Sequence, residues 1–200
     1  MDILLASNNE HKQEEFARLM TPHRILMPKD VGIVFDIEEN RSSFTENALL
    51  KAITLKALAP RYWVLGDDSG LCVDALDGGP GLQTARYGFE VHNRLMDSEE
   101  RNVYLLKNME GFKNRDARFV CALALVISDY RIFTVCEEAN GSIAYRASGS
   151  EGFGYDPIFI VEGKNLTMAE LGMKAKDELG HRGKASRILM ELIRSIECRY

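Results

Sequence analysis

An α/β fold with a mixed β-sheet is what this sequence predicts, and three observations carry the prediction. The apolar run Ile3–Ala6 passes through a polar turn straight into a segment with helical spacing, as at the start of a strand–helix unit. Two strand-like runs, Ala117–Ser128 and Arg131–Glu137, are separated only by Asp129-Tyr130, which reads as a long antiparallel hairpin. Two stretches of the form S/T-x-x-E, at Ser43 and Thr167, stand ahead of further helical segments. Helices interspersed with strands, some of them hairpin-linked, imply a mixed sheet with flanking helices.

The elements follow in order. Ile3–Ala6 is a short buried strand, and Ser7-Asn8-Asn9 a polar turn. A helix from Glu10 to Met20 follows, burying Phe16, Leu19 and Met20. Ile25–Met27 and Ile33–Ile37 read as strands. Ser43-Phe44-Thr45-Glu46 opens a helix whose Ala48, Ala52, Leu55 and Ala59 share one face, and Pro60 ends it. Trp63–Leu65 and Leu71–Ala75 read as strands around a tight acidic turn, Gly66-Asp67-Asp68-Ser69-Gly70. Gly78-Gly79-Pro80-Gly81 is a loop. A charged amphipathic helix is expected from Asn93 to Met109, then the hairpin, then a strand pair near Ile143 and Ile158–Val161. Thr167-Met168-Ala169-Glu170 opens a short helix, and the last helix, from about Lys184, buries Ile188, Leu189, Leu192 and Ile196.

Composition narrows the class of protein. The 200 residues are 46% hydrophobic and 28% charged, the profile of a soluble globular chain. The N-terminal apolar run is too short for a signal peptide and lacks a basic start. No stretch approaches the roughly 20 apolar residues of a membrane span, so a cytosolic protein without a membrane partner is expected. Cys72, Cys121, Cys136 and Cys198 form no C-x-x-C pair and no zinc spacing, and are expected to be reduced and mostly buried. A net charge of −5 disfavours binding to nucleic-acid polymers, which calls for a basic face. A small anionic ligand needs only a local basic pocket.

Four segments could carry chemistry. In Ser7-Asn8-Asn9-Glu10-His11-Lys12 a strand runs directly into a helix, whose free N–H groups suit a phosphate. Lys12 in the first helical turn is opposed by the helix dipole by roughly 0.3–1 kcal/mol, a penalty an anion would remove. The plain alternative is that Ser7 or Asn8 caps the helix and Lys12 is solvated. Asp67-Asp68-Ser69-Gly70 sets two carboxylates side by side, where they repel unless a cation intervenes. Mg²⁺ suits such oxygen donors and is often shared with phosphate. Glu38-Glu39 is a second source of carboxylate, whereas Glu46 belongs to its capping box. Gly152-Phe153-Gly154-Tyr155-Asp156-Pro157 offers rings to stack a base and a carboxylate to accept a base N–H; alternatively its aromatics are core residues beside a turn. Lys176 and His181-Arg182-Gly183 bring donors that suit a carbonyl oxygen and phosphates, or else form a solvated basic stretch.

Together these segments resemble the inosine triphosphate pyrophosphatase family, the bacterial XTP/dITP diphosphatases, over nearly the whole chain. The resemblance rests on Ser7-Asn8-Asn9-x-x-Lys12, Ser43-Phe44-Thr45-Glu46-Asn47-Ala48, Asp67-Asp68-Ser69-Gly70-Leu71, Pro80-Gly81 with Ala85-Arg86-Tyr87, Phe153-Gly154-Tyr155-Asp156-Pro157 and His181-Arg182-Gly183. It implies an elongated mixed β-sheet with flanking helices in an ITPase/Maf-like fold, a single domain over 1–200 with two lobes and a nucleotide cleft between them, and a homodimer. It implies that residues 7–12 and Lys51 hold the triphosphate, that Glu39 and Asp68 are metal ligands for Mg²⁺, and that Asp68 is also the proton acceptor. It makes Ser69 a substrate contact, Phe153 to Asp156 the base-binding segment, and Lys176, His181 and Arg182 the residues that read the base. The family's first loop usually reads Thr-Gly-Asn-x-Gly-Lys; here Asn8 and His11 replace the two glycines, and Gly180 stands where a serine is common.

The implied reaction is Mg²⁺-dependent hydrolysis of deaminated purine nucleoside triphosphates to the monophosphate and pyrophosphate. Asp68 would activate water, with Asp67 near the metal, while Lys12, Lys51 and Arg86 would stabilise the departing pyrophosphate. Two alternatives stand beside it: a related pyrophosphatase for other modified nucleotides, and a nucleotide-binding sensor without catalysis. A P-loop NTPase is weaker still, because the chain has no G-x-x-x-x-G-K-[ST].

Overall fold

A computed structural model describes residues 1–198 of the chain. In order the elements are β1 (Asp2–Leu5), α1 (Glu10–Leu19), β2 (Arg24–Leu26), α2 (Phe44–Leu58), β3 (Trp63–Val73), α3 (Phe89–His92), α4 (Ser98–Asn108), β4 (Asp116–Ser128), β5 (Arg131–Ile143), β6 (Phe159–Val161), α5 (Met168–Leu179) and α6 (His181–Glu197). The strands form one sheet in the order β2-β1-β3-β4-β5-β6. Both β2 and β3 run parallel to β1, and β6 is antiparallel to β5, which makes the sheet mixed as expected. None of the described helices is long and apolar enough to cross a membrane.

The chain divides into two compact units. The first comprises Met1–Asp68, Cys121–Glu137 and the chain from Arg182 onward; the second comprises Ser69–Val120 and Glu138–His181. In the first unit strand alternation builds two cores. Ile3, Leu5, Leu65, Cys121, Leu123 and Leu125 join Phe16 and Met20 of α1 and Ala185, Leu189 and Ile193 of α6. Leu4, Val64, Ala122, Ala124 and Val126 face the other way and join Ala48, Ala52 and Leu55 of α2. The register agrees, since Leu4 lies opposite both Leu26 and Val64. Fully burying a side chain such as Phe16 stabilises the fold by roughly 1.5–3 kcal/mol, so these strands read as continuous apolar runs. In the second unit Leu71, Val73, Leu105, Met109, Phe119, Ile143, Tyr155 and Phe159 form a separate core.

Both capping signals open helices. The Ser43 side chain accepts from Glu46 N–H at the head of α2, and Thr167 and Glu170 form a reciprocal capping box at α5. Glu46 is further tied to Ser42 and Ser43, a structural role.

Several sequence expectations are corrected. Gly66 to Gly70 is no turn: β3 runs unbroken through it. Gly66 serves packing instead, because a Cβ there would lie 2.0 Å from the Ala48 carbonyl oxygen of α2. Ile33–Ile37 forms no strand, although its Phe35 is buried. The helix expected from Asn93 starts later, as α4 at Ser98: Asn93, at φ 51°, instead closes the short α3 that precedes it, and Asp97 with Glu100 forms the capping box that starts α4. The strand expected near Ile143 is the end of β5, and Ile143 pairs with Phe159. The last helix begins three residues early, at His181. Its Ile188 is exposed, and Ala185, Met190 and Ile193 take the buried positions. Leu19 is only half-buried. None of the four cysteines is in a disulfide, but only Cys121 is fully buried, with Cys136 and Cys198 exposed.

Candidate active site

Because β3 is a strand, its consecutive residues point to opposite faces, and this sorts the acidic pair. Asp68 turns toward α2. Its Oδ1 accepts from Lys51 Nζ at 3.0 Å, and its Oδ2 accepts from Asn47 Nδ2 at 3.0 Å. Lys51 Nζ also donates to the Asp67 carbonyl at 3.0 Å and pairs with Glu39 Oε1 at 2.8 Å. Lys51 and Asn47 are one helical turn apart on the buried face of α2, only 5% and 1% exposed.

The electrostatics follow from this geometry. Burial alone would lower the Lys51 pKa, but Asp68 and Glu39 outweigh it and raise the pKa. Burial raises the Asp68 pKa, and the nearby Glu39 charge adds to it, against Lys51 and Asn47. Two carboxylates thus converge on one ammonium. Glu39 is about one-third exposed, so water reaches that side. Such a pair fits Mg²⁺, which takes one or two carboxylates and fills its remaining positions with water and phosphate oxygens. It does not make a closed cage: among the described residues no cluster of three or more His, Cys, Asp or Glu side chains converges.

Asp67 faces the other way, toward α1 and α6, and has no exposed surface. Its Oδ2 pairs with Lys12 Nζ at 2.6 Å. Its Oδ1 accepts from the Cys121 thiol at 3.4 Å and lies 3.7 Å from Arg182 Nε. Arg182 in turn donates from Nη1 to Glu15 Oε2 at 3.1 Å. Burial opposes ionisation of Asp67, but Lys12 and Arg182 outweigh it and hold the carboxyl well below the usual carboxylate range. Burial pushes the Cys121 thiol well up, and the adjacent Asp67 carboxylate adds to the shift. The expectation that Asp67 stands near a metal beside Asp68 is therefore corrected.

The first loop carries a standard helix start. Asn9 is the N-cap of α1, its side chain accepting from Lys12 N–H at 3.2 Å. Asn9 N–H itself donates to Ser7 Oγ, and Asn8 Nδ2 donates to the Phe35 carbonyl at 2.6 Å. Asn8 thereby tethers the unpaired 33–37 segment. Glu10 turns to Lys29, and His11 is exposed.

In the second unit, Asp156 and Lys176 are both buried and paired at 2.6 Å. Asp156 Oδ2 also accepts from Phe153 N–H at 2.8 Å. The Lys176 ammonium lies 4.2 Å from the centroid of the Phe153 ring. The His181 ring stacks on Phe119 at 4.7 Å with 10° between planes. Tyr155 is a core residue whose hydroxyl donates to the Thr84 carbonyl at 3.0 Å. Burial raises its pKa. Gly154, at φ 68°, is anchored through its carbonyl by Asn102 Nδ2 at 3.1 Å.

The sequence-derived candidates therefore gather in three groups: Glu39, Lys51 and Asp68; Lys12 and Arg182; and Phe153, Asp156 and Lys176. His181 stands apart on Phe119, Ser69 follows Asp68 along β3, and Arg86 Nε donates to Gln83 at 3.4 Å. Sequence reasoning missed Asn47, Glu15 and Asn102. A signal existed for Asn47: it and Lys51 are polar residues four apart beside Ala48 and Ala52, which marks a buried polar stripe on an apolar helix face.

Comparison with known proteins finds relatives over nearly the whole chain. The model of the Ham1 family matches residues 3–192. The chain is 45% identical over 185 residues to a dITP/XTP pyrophosphatase of Treponema denticola, covering 92% of this chain and 94% of that one. It is 42% identical over 197 residues to a dITP/XTP pyrophosphatase of Clostridium tetani, covering 96% of each. Among solved structures, the Staphylococcus aureus Ham1 protein superposes with a TM-score of 0.84 at 34% identity, covering 98% of this chain and 99% of that one. A HAM1 protein from Coxiella burnetii gives 0.86 at 32% identity with the same coverage.

Proposed function

This chain belongs to the Ham1 family, and from that premise we propose the residues and steps by which it acts. The protein is a nucleoside-triphosphate pyrophosphatase that hydrolyses deaminated purine nucleoside triphosphates, the dITP/XTP class, to the monophosphate and pyrophosphate. Water attacks the α-phosphorus, the bond to the β-phosphate oxygen breaks, and pyrophosphate leaves with the electron pair. Asp68 takes the proton from the attacking water. The arrangement of Asp68, Lys51 and Glu39 is the observation that carries this reading: a buried carboxylate of raised pKa, aimed by Asn47 and Lys51. Lys51 and Lys12 stabilise the charge that develops on the leaving pyrophosphate. The 7–12 loop takes up phosphate oxygens with its remaining N–H groups. Glu39 and Asp68 would hold Mg²⁺, which would neutralise charge on the phosphates.

Base selectivity follows from donors. Lys176, His181 and Arg182 meet the C6 oxygen of hypoxanthine or xanthine, and Phe153 stacks on the ring. Adenine's amino group would leave those donors unpaired, and a site of this kind can reject such an analogue by about 10⁴-fold. The fixed setting of Lys176 between Asp156 and Phe153 supports this reading. We assign Asp156 the holding of Lys176 and Phe153 in place. The protein works in the cytosol, as a homodimer.

The test is pyrophosphate release from ITP, XTP, GTP and ATP in parallel, with Mg²⁺ and with chelator. Mg²⁺-dependent release from ITP and XTP far above GTP and ATP is expected. ITP bound without release from any substrate would overturn the catalytic reading in favour of a sensor.

A further inference from the structure

Asp67 has a place in the site that its neighbour Asp68 does not explain. It has no exposed surface and lies on the face of β3 opposite Asp68, so it cannot share a water or a metal with that residue. Its two oxygens are nonetheless engaged by two groups already assigned to the substrate. Lys12 Nζ sits 2.6 Å from Oδ2, and Arg182 Nε sits 3.7 Å from Oδ1, where the Cys121 thiol also donates at 3.4 Å. Glu15 holds the far side of the Arg182 guanidinium at 3.1 Å. All of these residues belong to the first unit.

We propose that Asp67 is a positioning residue for substrate: one buried carboxylate anchors Lys12 for the phosphates and Arg182 for the base. The proposal rests on the reading of Lys12 and Arg182 as substrate contacts. An ammonium has three donors and a guanidinium five. The carboxylate takes up one Lys12 donor and leaves the others for phosphate oxygens. Lys and Arg side chains are among those that lose most rotamer freedom on being ordered. Fixing both in the free protein removes that cost from the binding step. Asp67 also sets the distance between the two cations, so their alignment on one substrate depends on it. A charge that served folding alone would have no reason to hold the two groups that differ in which end of the nucleotide they meet.

The experiment is steady-state kinetics of Asp67→Asn beside the wild type, with ITP and ATP. The variant should raise KM for ITP about tenfold and cut the ITP-over-ATP ratio of kcat/KM about tenfold, with kcat within about threefold of the wild type. In a Lys12→Gln background the same change should raise KM by less than it does in the wild type, because only the Arg182 half of the anchor is left to lose. Unchanged KM and selectivity in folded Asp67→Asn would overturn the proposal. So would a kcat collapse at unchanged KM, which would make Asp67 part of the chemistry. If the wild type itself released no pyrophosphate from ITP, the functional reading would fall, and ITP affinity by calorimetry would decide on Asp67 in place of KM. If Asp67→Asn did not fold, Lys12→Gln, Arg182→Gln and the double variant would decide it. Losses that depart from the product of the single losses are expected, and multiplicative losses would overturn the shared anchor.

Discussion

Lys51 brings its ammonium to a point where two carboxylates and a carbonyl meet, and with Asn47 on the other oxygen this fixes Asp68 in one orientation. Replacing Asp68 with Asn keeps the shape and the hydrogen bond from Lys51 but removes the proton acceptor. Turnover of ITP should fall by about 10²–10⁴-fold with ITP affinity little changed, as single-turnover and calorimetric measurements would register. Asp67 predicts a different behaviour in acid. Its folded pKa lies below the ordinary value, so its stabilising effect is fully present above the unfolded pKa of about 3.9. It is lost as pH falls below that value toward the folded pKa. Urea midpoints of the wild type should drop below about pH 4, whereas Asp67→Asn should be less stable at pH 7 by about 3–5 kcal/mol and flatter in that acid range. Lys12, Glu39 and Asp68 could be singled out from their settings in the sequence, whereas Lys51 entered only through the family resemblance. Which face Asp67 takes was not legible, because it depends on whether Gly66 to Gly70 bends or continues.

That choice belongs to the element. Glycine at both ends of an acidic tripeptide is a turn signal, and only the closeness of α2 reverses it. Gly66→Ala would place a methyl carbon 2.0 Å from the Ala48 carbonyl oxygen, backbone that has little room to yield. Overpacking of this kind costs about 1–3 kcal/mol or more, so the variant should lose that much in chemical denaturation and lose activity with it, since α2 carries Lys51. The helix starts at Ser43 and Thr167 were legible because a capping box is written in four adjacent residues. Asp97-Ser98-Glu99-Glu100 carries the same signature, yet the apolar spacing upstream of it masked the boundary. Ile33–Ile37 alternates as a strand should, with Phe35 inward. Whether an extended segment gains a ladder is decided by which neighbour is free to pair, and here a side chain, Asn8, takes the carbonyl of Phe35.

For the whole molecule, the mixed sheet and its flanking helices were legible from the alternation of element types, whereas nothing in that alternation marks where one compact unit gives way to the other. Each unit closes its own core. Two bulk measurements test the proposed working state. Chelation should abolish pyrophosphate release, and Mg²⁺ should restore it without refolding, as a circular dichroism spectrum unchanged by chelator would establish. Light scattering on a sizing column should give twice the chain mass, and a monomer that is fully active would remove the dimer from the account. The unbroken course of β3 has one more implication, for how relatives of this chain are compared. Asp-Asp-Ser-Gly is a word any alignment will match, but its meaning depends on phase. Deleting a single residue between Trp63 and Gly66 would leave the word intact and exchange the faces to which its two aspartates point. Such a chain would score as an intact homologue, yet its proton acceptor would lie in the ion network of Lys12 and Arg182 and its anchor against Lys51 and Asn47.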